Sequence, residues 1–575
     1  MSDNTAAVGT RAPSGFDRFF AQWASQIVGA LVFVILGLWW LAFYPGISTV
    51  DSSQSWDQST VWIFQDWHPV FYTWLIAVLR RIWDTPAIVT GAHIVSLSAV
   101  LGSLHRRLLR VGVSRKTAFA TPILIALSPQ TGFTTMAMWK DIPFAIAVLW
   151  MFCEVLDIAA DSQRYFSSWT RVARLAAALT MVNLLRHNGK LLVAGVLLAI
   201  FITQRKHWRR VLVTVAGATA AYLMVTGPMY AYLNSWKSPV MFSYTTFIHD
   251  MAAIVNKHEA ELPAADREFL NTILPIHRWK APSPTNPDGL YYCRQATPLI
   301  FPPEFYPKKR LNRRGKVVLA STLPKVITQN SESVFLEQHR GEFRDLWLRS
   351  IKRWPATFLG HRFCVGSLAW SPWHQRGLEV FEPPVKSGVA TPALQVRPQS
   401  KALNRFFVKT VLPQWDRNER RWITWRAVTW CYAAFAIVIV VALRRRGWRF
   451  LLAMAPGFAA WFSVLTFTPG QSARYMFPAY LCALATLPLL SLLWREPLPL
   501  RRVRMFDPVL AAGAPSSGAP EVDLADTAPS DAASSDAQEA ELADTASSDA
   551  ASSDAVGSDA PADPPANTSI PIDES

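Results

Sequence analysis

Four short stretches gather residue types that can move protons and hold anions. Tyr44-Pro45-Gly46 is followed by Asp51 and Asp57, and then by Asp66-Trp67-His68-Pro69. Lys140-Asp141 precedes Ile142-Pro143, Arg186-His187-Asn188 precedes Gly189-Lys190, and Arg474-Tyr475 follows Thr468-Pro469-Gly470-Gln471. A carboxylate beside an apolar surface gains basicity and can take a proton from a hydroxyl, or join its neighbours in ligating a divalent ion. A guanidinium forks onto phosphate and an ammonium adds a point charge to it. Together these types suit deprotonation of a nucleophile at one pole and stabilisation of a departing phosphate at the other. Each also has a plainer reading. Asp51 and Asp57 could be acidic loop residues or helix caps, His68 before proline a turn residue, Lys140 with Asp141 a charged helix start, and Arg186 and Arg474 headgroup anchors.

Residues so far apart need elements that bring them together, and composition indicates which. The chain of 575 residues carries 57 Lys+Arg against 41 Asp+Glu, a net +16, with 51% hydrophobic and 17% charged residues. Globular proteins average about 25% charged, and here the apolar residues collect in runs long enough to cross a hydrocarbon layer of about 30 Å. The expected fold is an all-α polytopic membrane protein with an external soluble domain and a disordered C-terminal tail. The charge is unevenly placed: residues 511–575 hold fourteen Asp/Glu and no Lys or Arg, leaving +30 on the first 510. Most basic clusters lie at the ends of apolar runs, so topology rather than nucleic acid accounts for them.

Ten spans are expected, near 27–43, 87–104, 118–135, 142–160, 174–185, 190–203, 211–229, 422–443, 450–467 and 475–493. The loop after the first span has Asp51, Asp57 and Asp66 but no Lys or Arg up to His68, whereas the next carries Arg106, Arg107, Arg110, Arg115 and Lys116. Basic loops recur at every second turn, which puts both termini in the cytoplasm. The run 69–83 is apolar but short and ends in Arg80-Arg81, as suits a helix lying in the outer interface. The organisation expected is a cytoplasmic N-terminus (1–24), a membrane domain (25–230) whose first external loop is 44–85, an external domain (231–421), C-terminal membrane helices (422–495), and a cytoplasmic basic segment with an acidic tail (496–575). In the tail LADTAPSDAASSDA repeats as LADTASSDAASSDA, a composition that buries too little to order itself. Cys153, Cys431 and Cys482 fall in spans; Cys293 and Cys364 fall in the external domain, where an oxidising compartment permits a bridge.

All four chemical stretches map to the outer side of this topology. No Gly-rich phosphate loop, HExxH or CxxC pair occurs, so nucleotide-driven cytoplasmic chemistry is not supported. A sugar carried on a polyprenyl phosphate fits the charge pattern.

In their order the motifs resemble GT-C-type membrane glycosyltransferases, specifically the bacterial polyprenyl-phosphate-sugar dependent group. The residues that carry the resemblance are Tyr44-Pro45-Gly46 with Asp51, Asp66 with His68-Pro69, Lys140-Asp141 with Pro143-Phe144, Arg186 with Asn188-Gly189, and Arg474-Tyr475 with Pro478. It covers roughly 25–230 and 422–495. The resemblance implies a GT-C-like fold and inverting transfer of a sugar from a polyprenyl-phosphate donor to an envelope glycan, lipid or protein acceptor at the outer face of a bacterial plasma membrane. It implies Asp51 as general base, Asp66 and His68 assisting acceptor or metal, and Lys140, Arg186 and Arg474 around the donor phosphate. Asp57, Asp141, His187, Asn188 and Tyr475 would support them. Many members have two adjacent acids in the first loop where this chain has Asp51-Ser52, so Asp57 stays open as the base. No cofactor is certain and a divalent metal stays open; the partners are donor, acceptor and membrane lipid, with no nucleic acid. The rival is a transporter or flippase of a lipid-linked glycan, which would place polar residues deep within spans and show related halves.

Overall fold

The structure is a computed structural model that describes residues 15–237, 241–279, 331–373, 392–415, 417–445, 447, 449–468 and 472–494, with four short strands between 304 and 327. The chain divides into Met1–Leu498 and Pro499–Ser575, and the second unit, including the acidic tail, lies wholly outside the described residues. The protein is a multi-pass membrane protein built almost entirely of helices. Among the described residues seven helices are long and apolar enough to cross a bilayer: Gln22–Ala42, Pro86–Val111, Asp141–Ala160, Arg205–Tyr232, Ala427–Arg444, Arg449–Phe467 and Ala473–Trp494.

The three other expected spans are helical but shorter, for identifiable reasons. Pro129 cannot continue a helix across Ser128, so 118–135 becomes Arg115–Leu127 followed by Pro129–Thr135. Trp169–Leu185 has 17 residues and Gly189–Thr203 has 15; at about 1.5 Å per residue the latter rises only about 22 Å. Val70–Leu79 is a ten-residue apolar helix, too short to cross a bilayer.

Asp141–Ala160 is the hub. Apart from Asp141, Glu154 and Asp157 it is apolar on every face, as a nearly fully enclosed helix must be, and it packs against Ala87–Val111, Trp169–Leu185, Arg449–Phe467 and Phe477–Thr486. The Gly15–Ala42 and Ala87–Val111 helices cross closely because both contribute glycine: a Cβ on Gly102 would lie 2.7 Å from the Ser25 carbonyl oxygen and 3.2 Å from the Gly29 Cα. Such small-residue crossings replace the hydrophobic drive that lipid removes.

At one end of this bundle lies a buried charge network. Arg107 and Arg110, expected in a cytoplasmic loop, instead belong to the last turns of a helix that runs to Val111 and ends on left-handed Gly112. Arg107 meets Glu154 at 2.5 Å and Asp157 at 3.2 Å, Arg110 meets Asp157 at 3.0 Å, and Arg174 meets Glu154 at 3.1 Å. The Tyr165 hydroxyl donates to Glu154 at 2.9 Å.

Helices Met241–His258, Ala264–Ile273 and Arg340–Arg353 enclose a separate apolar core around Ile248, Trp279, Phe343 and Leu346. The stretch 392–415 returns to the first helix, where Phe407 stacks on Trp39 at 3.9 Å and the Asn404 amide donates to the Ala42 carbonyl. Cys364 is disulfide-bonded, whereas Cys153, Cys431 and Cys482 are free; Cys293 lies outside the described residues.

Candidate functional site

The first loop is clamped to the segment that carries Lys140. Ile47 bridges Ala137 in parallel: the Ile47 amide donates to the Met136 carbonyl at 2.8 Å and the Met138 amide to the Ile47 carbonyl at 2.9 Å. The Trp139 indole donates to Thr49 Oγ1 at 2.9 Å and Ser52 Oγ to the Met138 carbonyl at 3.1 Å. Gly46 makes the approach feasible: its φ is +144° and a Cβ there would sit 2.6 Å from Thr90 Cγ2. The clamp ends where Val50–Val61 begins, so Asp51 enters the first turn of that helix directly above Lys140 and Asp141. A first-turn carboxylate is also favoured by the helix dipole.

Two carboxylates and three cations converge there. Arg474 Nη1 donates to Asp51 Oδ2 at 2.8 Å, and its Nε lies 3.8 Å from Asp141 Oδ2. Arg186 Nη1 lies 2.7 Å from Asp141 Oδ1. That contact is a close ion pair without aligned hydrogen-bond geometry, since neither Asp141 oxygen nor Arg474 Nε has a hydrogen-bond partner. Lys140 Nζ donates to His68 Nδ1 at 2.7 Å, which places the neutral imidazole proton on Nε2. That Nε2 is buried, has no hydrogen-bond partner and faces Asp51 Oδ1 at 3.9 Å. The Tyr475 ring lies beneath both guanidinium groups, 4.8 Å from Arg186 and 5.3 Å from Arg474, and Trp139 covers Arg474 at 5.2 Å.

The charges hold one another in unusual states. Burial raises the Asp51 pKa, but Arg474, His68 and Lys140 outweigh it and hold the carboxyl well below its ordinary value. Burial, reinforced by the Lys140 ammonium, drives His68 down to about 3, so the imidazole is neutral. Burial lowers Lys140 to about 8 against the attraction of Asp141 and Asp51. Opposed shifts of this kind occur at sites that do chemistry and also in structural ion-pair networks.

Not every expected residue joins this cluster. Asp57 shares a helix with Asp51 but stands six positions on, about 120° away around the axis, where burial raises its pKa and Arg80 is its opposing charge. Asp66 does not pair with His68; it lies 3.8 Å from His187 Nε2, and its backbone amide donates to the Trp236 carbonyl. Asn188 precedes the Gly189–Thr203 helix and leaves its Oδ1 buried and unpartnered. Among the described residues no three His, Cys, Asp or Glu side chains converge as a metal site. Four side chains at the pocket were not expected: Ser55, Met138, Trp139 and Tyr72, whose buried hydroxyl has no partner. Trp139 sat in view beside Lys140, whereas Tyr72 is hidden in an apolar run whose period says only that one face is covered.

Residues 69–281 match a family model described as a family of unknown function, DUF6020. No curated protein matches. Among solved structures, the chain is similar to ArnT from Cupriavidus metallidurans bound to undecaprenyl phosphate, with 13% sequence identity, coverage of 81% of this chain and 78% of that one, and a TM-score of 0.32.

Proposed function

We propose that this membrane protein is an inverting glycosyltransferase that moves a sugar from a polyprenyl-phosphate donor to a hydroxyl of an envelope glycan, lipid or protein at the outer face of a bacterial plasma membrane. The observation that supports it is the Asp51–Arg474 pair, embedded with His68, Lys140, Asp141 and Arg186 in one buried cluster drawn from four distant segments. In this reading both termini are cytoplasmic and segment 231–421 is external.

Asp51 in its resting state is ionised but a weak base, because Arg474 occupies it. A donor phosphate competes for Arg474, whose Nε already lacks a hydrogen-bond partner. As the guanidinium turns to phosphate, Asp51 loses its principal counter-ion and the burial that opposes its charge prevails, so its basicity rises when substrate is present. The gap between His68 Nε2 and Asp51 Oδ1 then seats the acceptor hydroxyl. Asp51 removes its proton, its oxygen forms the new bond to the anomeric carbon, and the glycosidic C–O bond breaks with its electron pair leaving on the phosphate. Lys140, Arg186 and Arg474 meet the developing charge. A single displacement inverts the anomeric centre.

The test is reconstitution in lipid with a panel of polyprenyl-phosphate sugars and an acceptor extract, following labelled sugar in wild type and Asp51→Asn. Turnover that Asp51→Asn lowers by about 100-fold or more is expected for loss of a general base. Wild-type protein that transfers nothing but moves the lipid-linked sugar across the bilayer would replace this reading with transport.

A further inference from the structure

Away from this cluster, the junction between Asn418–Thr424 and Ala427–Arg444 holds a second concentration of unsatisfied donors. Arg426 is 1% exposed, among the largest fully enclosed side chains, and Nε, Nη1 and Nη2 all lack a hydrogen-bond partner. Thr424, 4% exposed, likewise leaves Oγ1 unpartnered. Among the described residues, the charge that acts on Arg426 is another cation, Arg421. Burial pushes the guanidinium down to about 10.

A buried guanidinium without an acceptor is a costly arrangement that native proteins avoid unless something fills it. The backbone sharpens the case. Arg426 has φ −106° and ψ 88° at the break between two helices, and its carbonyl already accepts from the Thr429 amide at 3.1 Å. The side chain thus stands at the N-terminal end of an 18-residue helix, the positive end of its dipole. Fork, hydroxyl and dipole all select an anion, and at the end of a membrane span the anion that lipids supply is a phosphate.

We infer that Arg426 and Thr424 form a second phosphate-binding site, distinct from the Asp51–Arg474 cluster, that takes a phosphate ester at the end of the Ala427–Arg444 span. It does not rest on the sugar-transfer reading. The phosphate could belong to a lipid headgroup, a polyprenyl carrier or free phosphate.

The test uses the full chain in neutral detergent on an Arg474→Gln background, which weakens phosphate binding at the first cluster, and the comparison at Arg426 and Thr424 is made within that background. Inorganic phosphate, a short-chain polyprenyl monophosphate and phosphatidylglycerol-doped micelles are titrated at matched ionic strength, with Tm and tryptophan fluorescence as readouts. At least one probe should raise the Tm of the parent. Arg426→Met should weaken that probe by about tenfold or more and Thr424→Val by a smaller factor, as loss of charge-assisted and neutral donors requires. The unliganded Tm of Arg426→Met should equal or exceed the parent, because an orphan charge has been removed. Response to inorganic phosphate assigns recognition to the phosphate alone, to the monophosphate lipid only assigns the carrier, and to phosphatidylglycerol only assigns the bulk headgroup. No response to any probe, an equal response to chloride, or unchanged affinity in Arg426→Met overturns the site. If Arg426→Met does not fold, Arg426→Lys, which keeps charge but loses the fork, decides together with Thr424→Val: parent-like affinity in both overturns it. Failure of sugar transfer leaves each of these outcomes unaffected.

Discussion

Lys140 is the residue whose charge is most finely balanced. Its ordinary pKa of 10.5 falls to about 8 because it is buried. A lysine with a lowered pKa loses its proton in the folded state first, so as pH rises through about 8 the pocket loses a cation. If that cation meets the departing phosphate, transfer rate falls above about pH 8. Lys140→Arg keeps its charge throughout, and its rate–pH profile should lack the alkaline fall even where the plateau is lower; a fall at the same pH in Lys140→Arg would remove Lys140 from the phosphate. The same shift bears on stability: buried charge on Lys140 is unfavourable below about pH 8 and that penalty is relieved as pH rises toward 10.5. Arg474→Gln is expected to cost about 100-fold in rate or more if the guanidinium meets developing charge, and almost nothing if it only anchors headgroups.

Among the elements, the clamp around Gly46 sets where Asp51 stands. Gly46→Ala forces a Cβ into a positive-φ backbone and against Thr90, and should cost about 1–3 kcal/mol. Because the clamp also aims Asp51, rate should fall more than donor affinity; denaturant unfolding and a kcat-against-KM comparison check both. Here the limits of the sequence are visible. Alternating basic loops put Asp51, Lys140, Arg186 and Arg474 on one side of the membrane, and the structure brings all four together. Charge bias reports side, not neighbour, so it could not say that Asp66 would turn to His187 while His68 turned to Lys140. Nor could an apolar period separate a full span from the shorter helices Trp169–Leu185 and Gly189–Thr203, since it registers a covered face rather than a length. Tyr72 and Arg426 were illegible because an unpartnered polar group is defined by what fails to approach it.

Across the whole molecule, charge is buried at both ends of the bundle but to different purposes. Around Glu154 every carboxylate has close cation partners and both Glu154 oxygens accept hydrogen bonds, with the Nε atoms of Arg107 and Arg174 left over. Glu154→Gln leaves Arg107 and Arg174 undercompensated, and should cost about 3–5 kcal/mol of stability. Protein that remains folded should keep its donor affinity, which a denaturation series with parallel donor binding would show; lost affinity in folded protein would mean that the two ends are coupled. The Asp51 cluster is the opposite case, with close ion pairs that leave Asp141, His68 Nε2 and Arg474 Nε without hydrogen bonds, and it can exchange an internal partner for an external one.

Asp51 and Arg474 are 423 residues apart in the chain. As the polypeptide threads into the membrane from its N-terminus, Asp51 arrives long before its counter-ion has been synthesised. Until the last helix inserts, the nascent protein holds a carboxylate without its main restraining cation. Assembly of the final hairpin therefore completes the charged cluster, and any chain that stops short of it would insert most of its helices without the site on which the proposed transfer depends.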